Sequence, residues 1–180
     1  MKNIELKTKY PDLKLAEQKA VELDAKFVWC KKQVDSYFKV PNGRLKLREA
    51  EGEATELISY FRDNKYEGRE SNYHLLKIKE GKQIKQMLTG TIGLLAVVKK
   101  KRKLYIYENI RIHLDEVEKL GNFLEFEGVI YSSGEITGTK KRLKYLTEYF
   151  DIKKKRLVKY SYSDLIMSGD KVKIKKKKAK

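Results

Sequence analysis

Residues Asn109–Tyr131 read N-I-R-I-H-L-D-E-V-E-K-L-G-N-F-L-E-F-E-G-V-I-Y. The pattern is that of two strands folded about a turn at Gly121–Asn122. In the first, Arg111, His113 and Asp115 alternate with Ile110, Ile112 and Leu114. In the second, Phe123, Glu125 and Glu127 alternate with Leu124 and Phe126. Strand side chains point to opposite faces in turn, so each strand has one apolar face and one ionisable face. The ionisable faces differ in sign, Arg and His against two carboxylates. Such a face is ordinarily the solvated side of a half-buried sheet. The rest of the chain argues for another use.

The same design recurs outward from this stretch. Residues 3–7 put Asn3, Glu5 and Lys7 on one face and Ile4 and Leu6 on the other. Pro11–Asp12 opens a helix that ends near Asp24, with Leu13, Ala16, Ala20, Val21 and Leu23 as its apolar stripe. Residues 26–40 read as two extended pieces, followed by a turn at Pro41–Gly43. Arg44, Lys46 and Arg48 then share a face, and a Gly52 turn leads into a strand over 56–62. Residues 73–79 form a strand, 82–92 a short helix and 94–107 a long strand containing the run Lys99–Lys103. Within that run Lys100 and Arg102 are read onto the polar face. A helix over 137–150 and a last strand over 157–167 complete the pattern.

One domain accommodates the 180 residues. With 41% hydrophobic residues and twelve tyrosines, the chain can bury a core. Cys30 is the only cysteine, which excludes a disulfide framework and a cysteine metal site; it reads as a small core residue. No apolar run is long enough to span a membrane, and the N-terminus lacks the apolar stretch of a signal peptide. The expectation is a soluble, cytoplasmic protein, monomer or homodimer. The net charge is +17, of which residues 171–180 supply seven lysines and no acid. Without that segment the charge is still +10. Such a field draws polyanions.

Eight or nine strands with short connections favour an antiparallel sheet, closed or nearly so. Almost every strand aims Lys or Arg one way, and carboxylates join them on only three strands. If these faces turn inward, the barrel encloses a charged, water-filled tunnel, and the helices cover its apolar outside. A ladder of Lys and Arg binds a chain of phosphates through charge-assisted hydrogen bonds. Glu5, Glu125 and Glu127 could hold Mg²⁺ or Mn²⁺, hard ions that take oxygen ligands. Glu-x-Glu on a strand sets its carboxylates about 7 Å apart on one face, within reach of one ion.

At this point the chain resembles the CYTH, or triphosphate-tunnel metalloenzyme, family and looks closest to class IV adenylyl cyclases. The resemblance rests on I-E-L-K at 4–7, Q-V-D-S-Y-F at 33–38 and G-R-L-K-L-R-E at 43–49. It continues through K-K-K-R at 99–102, R-I-H-L-D-E-V-E-K-L-G-N-F-L-E-F-E at 111–127 and S-Y-S-D-L at 161–165. It implies a mainly β (α+β) fold: an eight-stranded antiparallel closed β-barrel over residues 1–167, with helices packed outside. Residues 168–180, rich in lysine and without core-forming residues beyond Val172 and Ile174, read as a basic, disordered tail. The resemblance implies Glu5, Glu125 and Glu127 as ligands of Mg²⁺ or Mn²⁺. Lys7, Lys46, Arg48, Arg62, Lys77, Lys100, Arg102 and Arg111 become phosphate binders, and His113 and Asp115 catalytic candidates. One departure is that the family's opening Glu-x-Glu-x-Lys has Asn3 in place of its first Glu.

The reaction implied is conversion of ATP to cyclic AMP and pyrophosphate. The alternatives are hydrolysis of an inorganic, thiamine, nucleoside or RNA 5′ triphosphate, and non-catalytic binding of triphosphate or polyphosphate. The basic tail adds RNA or another polyanion as a possible partner.

Overall fold

The computed structural model describes residues 2–62, 69–132 and 134–169, and the backbone alone for residues 2, 62 and 69–72. Its eight strands are β1 (Lys2–Lys9), β2 (Lys26–Phe38), β3 (Arg44–Ala50), β4 (Thr55–Arg62), β5 (Arg69–Ile78), β6 (Leu94–Tyr107), β7 (Ile110–Val117) and β8 (Gly121–Ile130). All neighbours are antiparallel, in the order β5-β4-β3-β2-β6-β7-β8-β1, and β1 meets β5 to bring the sheet round on itself. That last seam is short. β1 pairs with β8 over eight residues but with β5 over only four, Lys2↔Asn72 to Glu5↔Arg69. The sheet is therefore a curled, barrel-like channel rather than a uniformly sealed cylinder. Residues 26–38 form one strand, not two pieces, with a register shift between Phe27 and Trp29.

Four α-helices accompany the sheet among the described residues. α1 (Leu13–Glu22) is capped by Asp12, whose side chain accepts from the Leu15 amide at 2.9 Å; Pro11 lies just outside the helix. α2 (Gly81–Thr91) and α3 (Glu135–Tyr149) lie close to the expected ranges. α4 spans residues 162–169 and corrects the strand read over 157–167. The reason is a reciprocal cap: Ser161 Oγ accepts from the Asp164 amide at 3.2 Å, and Asp164 Oδ2 accepts from the Ser161 amide at 3.0 Å. That cap starts a helix where the Tyr-Ser alternation suggested a strand. The hairpin turn also moves. Val117 pairs with Gly121, so the loop is residues 118–120, with positive φ at Lys119 and Gly121. Cys30 is exposed rather than buried, because it faces outward on β2. The tail over 170–180 lies outside the described residues.

Two apolar cores form on opposite faces of the sheet. Outside, Ile4, Leu6, Ile112, Leu124 and Phe126 pack against Ala16 and Ala20 of α1 and Leu143 and Leu146 of α3. Inside, at the end reached by the last residues of β2 and the first of β8, Tyr37, Tyr60, Val98, Val117 and Phe123 surround Tyr162 of α4. That inner core fills one end of the channel. Val21 departs from the α1 stripe at 59% exposed.

Gly128 of β8 is the closest point between sheet and α3. A Cβ built there would lie 2.3 Å from Thr139 Cγ2 and 3.2 Å from Ile110 Cδ1. Gly128→Val is expected to lower the unfolding free energy by about 1–3 kcal/mol through this overpacking. Urea denaturation of both proteins checks it.

Candidate active site

The channel holds a cavity of about 780 Å³ whose wall carries most of the residues singled out from sequence. Glu5, Lys7, Lys46, Arg48, Lys100, Arg102, Arg111, His113, Glu125 and Glu127 all line it. The β2–β6 register resolves the basic run, with Lys100 7% exposed inside and Lys101 outside. Lys77 is exposed on β5 and is absent from the cavity wall. The Arg62 side chain lies outside the described residues.

The cations gather around Asp35, a residue of the 33–38 motif to which the sequence reading gave no site role. Arg48 donates to both Asp35 oxygens at 2.8 and 3.3 Å, Lys46 donates at 3.2 Å and Lys100 at 3.0 Å. Three strands meet at this carboxylate: β2 supplies it, and β3 and β6 supply the cations. Burial alone would raise the Asp35 carboxyl, but Arg48, Lys100 and Lys46 hold it well below the usual range. Burial, then the Arg48 charge, pulls Lys46 from 10.5 to about 7. Burial leaves Lys100 at about 8 against the opposing pull of Asp35. One carboxylate thus neutralises three cations incompletely, and the cluster keeps a positive excess that suits an anion.

A second cluster occupies the β1–β8–β7 wall. Glu5 and Glu127 are direct cross-strand partners, as are Lys7 and Glu125. Lys7 lies 3.3 Å from Glu125 Oε2, and Arg102 lies 3.4 Å from the same oxygen. Lys7, Arg102 and His113 together overcome the burial that would raise Glu125 and hold it well below its ordinary range. Glu127 Oε2 lies 3.5 Å from Arg111 and 3.7 Å from His113 Nε2. Burial, then the Arg102 guanidinium, lowers His113 to about 4, so its imidazole is neutral at pH 7. The His113 Nδ1 is buried without a hydrogen-bond partner among the described residues. Asp115 is differently placed. It is fully buried, takes two 2.5 Å bonds from Arg102, and accepts from the Tyr162 hydroxyl at 2.7 Å. Both its oxygens are committed, so it positions Arg102 rather than facing the cavity.

Among the described residues no three His, Cys, Asp or Glu side chains converge to hold a metal as they stand. The donor set nevertheless suits a hard divalent ion. Glu5, Glu125 and Glu127 offer oxygens on adjacent strands. Asn3 is 4% exposed and donates Nδ2 to Glu127 Oε1 at 2.5 Å, while its Oδ1 is buried and has no hydrogen-bond partner among the described residues. That orphaned oxygen next to two paired carboxylates is what a bound cation would satisfy.

Tyr162 of α4 was missed from sequence. Besides its bond to Asp115, its ring lies 4.0 Å from Lys7 Nζ and 5.6 Å from Lys100 Nζ. α4 is anchored by Arg44, which bonds Ser161 Oγ and reaches Asp164 Oδ2 at 2.9 Å. The spacing Ser161-x-x-Asp164 was the available signal.

Asp35→Asn is expected to cost about 3 kcal/mol of stability at pH 6, because it strands buried cations. Lys46 and Lys100, at about 7 and 8 when folded, titrate above pH 10 when unfolded. The unfolded chain therefore binds more protons between these values, and stability rises with pH across that window. Losing Asp35 lowers both lysines further, so the deficit should shrink toward pH 9. Urea unfolding at the two pH values measures this.

The CYTH domain profile matches residues 1–130, which include all eight strands. A Methanocaldococcus jannaschii protein provisionally named an adenylate cyclase is 25% identical over 175 residues, covering 92% of this chain and 98% of the relative. A solved structure from Pyrococcus horikoshii shares the fold with a TM-score of 0.76 at 24% identity, over 91% of this chain and 98% of that one. A Hippeastrum protein, described as a provisional adenylyl cyclase with a dominant triphosphatase activity, shares it at 0.67 and 15% identity, over 93% and 96%. By the extent of the profile match, this chain belongs to the CYTH domain family.

Proposed function

We propose that the protein is a divalent-metal-dependent enzyme acting on the triphosphate of a nucleotide, and that its reaction is the conversion of ATP to cyclic AMP and pyrophosphate. The observation that carries this reading is the pairing of two unlike walls in one cavity: the cation cluster around Asp35 and the carboxylate cluster of β1 and β8. Family membership and the name of the Methanocaldococcus relative support it. Lys46, Arg48 and Lys100 would take the phosphate chain, sharing their donors between it and Asp35. Lys7, Arg102 and Arg111 would face the same chain from the carboxylate side. Lys77 is exposed and absent from the cavity wall, so the cavity does not support that role for it, and the Arg62 side chain lies outside the described residues. Glu5, Glu125 and Glu127, with Asn3 Oδ1, would hold Mg²⁺ or Mn²⁺. Such an ion supplies positive charge to phosphate oxygens as charge develops in transfer. Cyclisation requires the ribose 3′-hydroxyl to attack the α-phosphorus, with pyrophosphate leaving. Of the two proton-acceptor candidates, His113 is better supported, being neutral and without a partner at Nδ1 among the described residues, whereas Asp115 is fully engaged.

Water attacking the terminal phosphorus in the same clamp is the second reading, supported by the activity described for the Hippeastrum protein. Phosphorus NMR with ATP or inorganic triphosphate and Mg²⁺, which is diamagnetic, separates the two, with Glu125→Ala/Glu127→Ala as control. Pyrophosphate with cyclic AMP, lost in the control, is the expected result. Orthophosphate would establish hydrolysis. Signals that broaden without turnover would leave a triphosphate binder.

Binding should also consume protons. An anion stabilises the charged forms of Lys46 and Lys100, which lie near 7 and 8 in the free protein. Between those values and the raised ones, the complex holds more protons than its parts. Inorganic triphosphate is expected to take up protons on binding at pH 8 and to bind more weakly at pH 9. Calorimetry in buffers of different ionisation enthalpy reads both.

A further inference from the structure

The channel wall changes character beyond the cation cluster. Along β2 the inward side chains run Asp35, Gln33, Lys31 and Trp29, and along β6 they run Lys100, Arg102, Leu104 and Ile106. Trp29 and Leu104 are cross-strand partners, as are Gln33 and Lys100. From β5, Leu75 joins the same wall. Ile106 and Leu75 are 37% and 38% exposed, apolar side chains left wet inside a charged cavity. Gln33 is 5% exposed, and its Oε1 has no hydrogen-bond partner among the described residues.

A triphosphate satisfies neither feature. At neutral pH it presents acceptors, which cannot serve a carbonyl oxygen that needs a donor. Nor does it gain from apolar side chains. A nucleoside meets both needs, having hydroxyl donors on its sugar and a flat π-face on its base. Four residues along a strand span roughly 13 Å, so Gln33 and Trp29 can serve opposite ends of one nucleoside. Gln33 is the one beside the cations that would take the phosphates.

We propose that Gln33, Trp29, Leu104 and Ile106 form a nucleoside subsite, which makes the substrate a nucleoside triphosphate rather than inorganic triphosphate. A ribose hydroxyl donates to Gln33 Oε1, and the base stacks on the Trp29 indole against Leu104 and Ile106. This rests on the triphosphate reading of the channel, and it adds which triphosphates the channel selects.

Trp29 is the sole tryptophan of the chain, so its emission reports the subsite directly. The test is titration in EDTA, where no turnover occurs, with ATP and with inorganic triphosphate. Fluorescence and calorimetry follow the wild type and Gln33→Leu. ATP should quench Trp29, and inorganic triphosphate should displace it and restore the emission. Gln33→Leu should weaken ATP roughly tenfold, as expected for one lost hydrogen bond beside a charged group, and leave inorganic triphosphate within about twofold. Equal wild-type affinity for the two ligands with Trp29 emission unmoved by ATP would overturn the subsite while leaving the triphosphate reading intact. So would a Gln33→Leu that weakens both alike. If neither ligand binds the wild type, in EDTA or with Mg²⁺ present, the triphosphate reading falls and the subsite with it. The wild-type fluorescence arm holds even if the variant fails to fold.

Discussion

Like charges turned inward on a curled sheet repel one another and lose their water. Asp35 is what makes that arrangement tolerable here. It lies 1% exposed and accepts from Lys46, Arg48 and Lys100, which reach it from two other strands. A buried charge without a partner costs several kcal/mol, and removing one partner of a buried group strands the others. The anchor is deliberately incomplete. Three cations share one carboxylate, so two lysines sit near their titration points and the cluster keeps a positive excess. The stability of the free protein and the sign of this wall follow from the same imbalance.

The opposite wall repeats this logic, with carboxylates again held by groups from neighbouring strands. Glu125 is held by Lys7 and Arg102, and Glu127 by Asn3, Arg111 and His113. Arg102 links the walls, because Asp115 grips its guanidinium from one side while Glu125 faces it from the other. Asp115 is in turn bonded to Tyr162, which belongs to α4 and completes the inner core. The short helix therefore fills one end of the channel and sets the posture of residues within it. Removing α4 would expose the inner core and release the partner that orients Asp115.

Most side chains of the site could be assigned to a face from sequence, because strand alternation is local. Arg111, His113 and Asp115 share a face by parity alone, as do Glu125 and Glu127. Lys100 was favoured over Lys101 by parity, but only weakly, since a run of five basic residues carries little polarity signal. The register against Gln33 of β2 and Val117 of β7 separated them. The segment over 157–167 misled because Tyr-Ser-Tyr mimics a strand, whereas the Ser161–Asp164 cap starts a helix. Parity also said nothing of depth. Asp115 shares the inward face of His113, yet it is buried beneath Arg102 and Tyr162 and never reaches the cavity.

By itself, then, the sequence determined the inventory: which residues are inward, the sign of each wall, and that the apolar outer face needs helices over it. These follow from a period of two and from composition, which neighbouring residues suffice to specify. The tertiary structure alone decided partnership. That Asp35 anchors cations from β3 and β6, that Asn3 turns its amide to Glu127, and that Tyr162 closes one end depend on groups 11 to 124 positions apart in the chain. Side chains so distant meet only once the sheet has curled, so no local pattern could have named them.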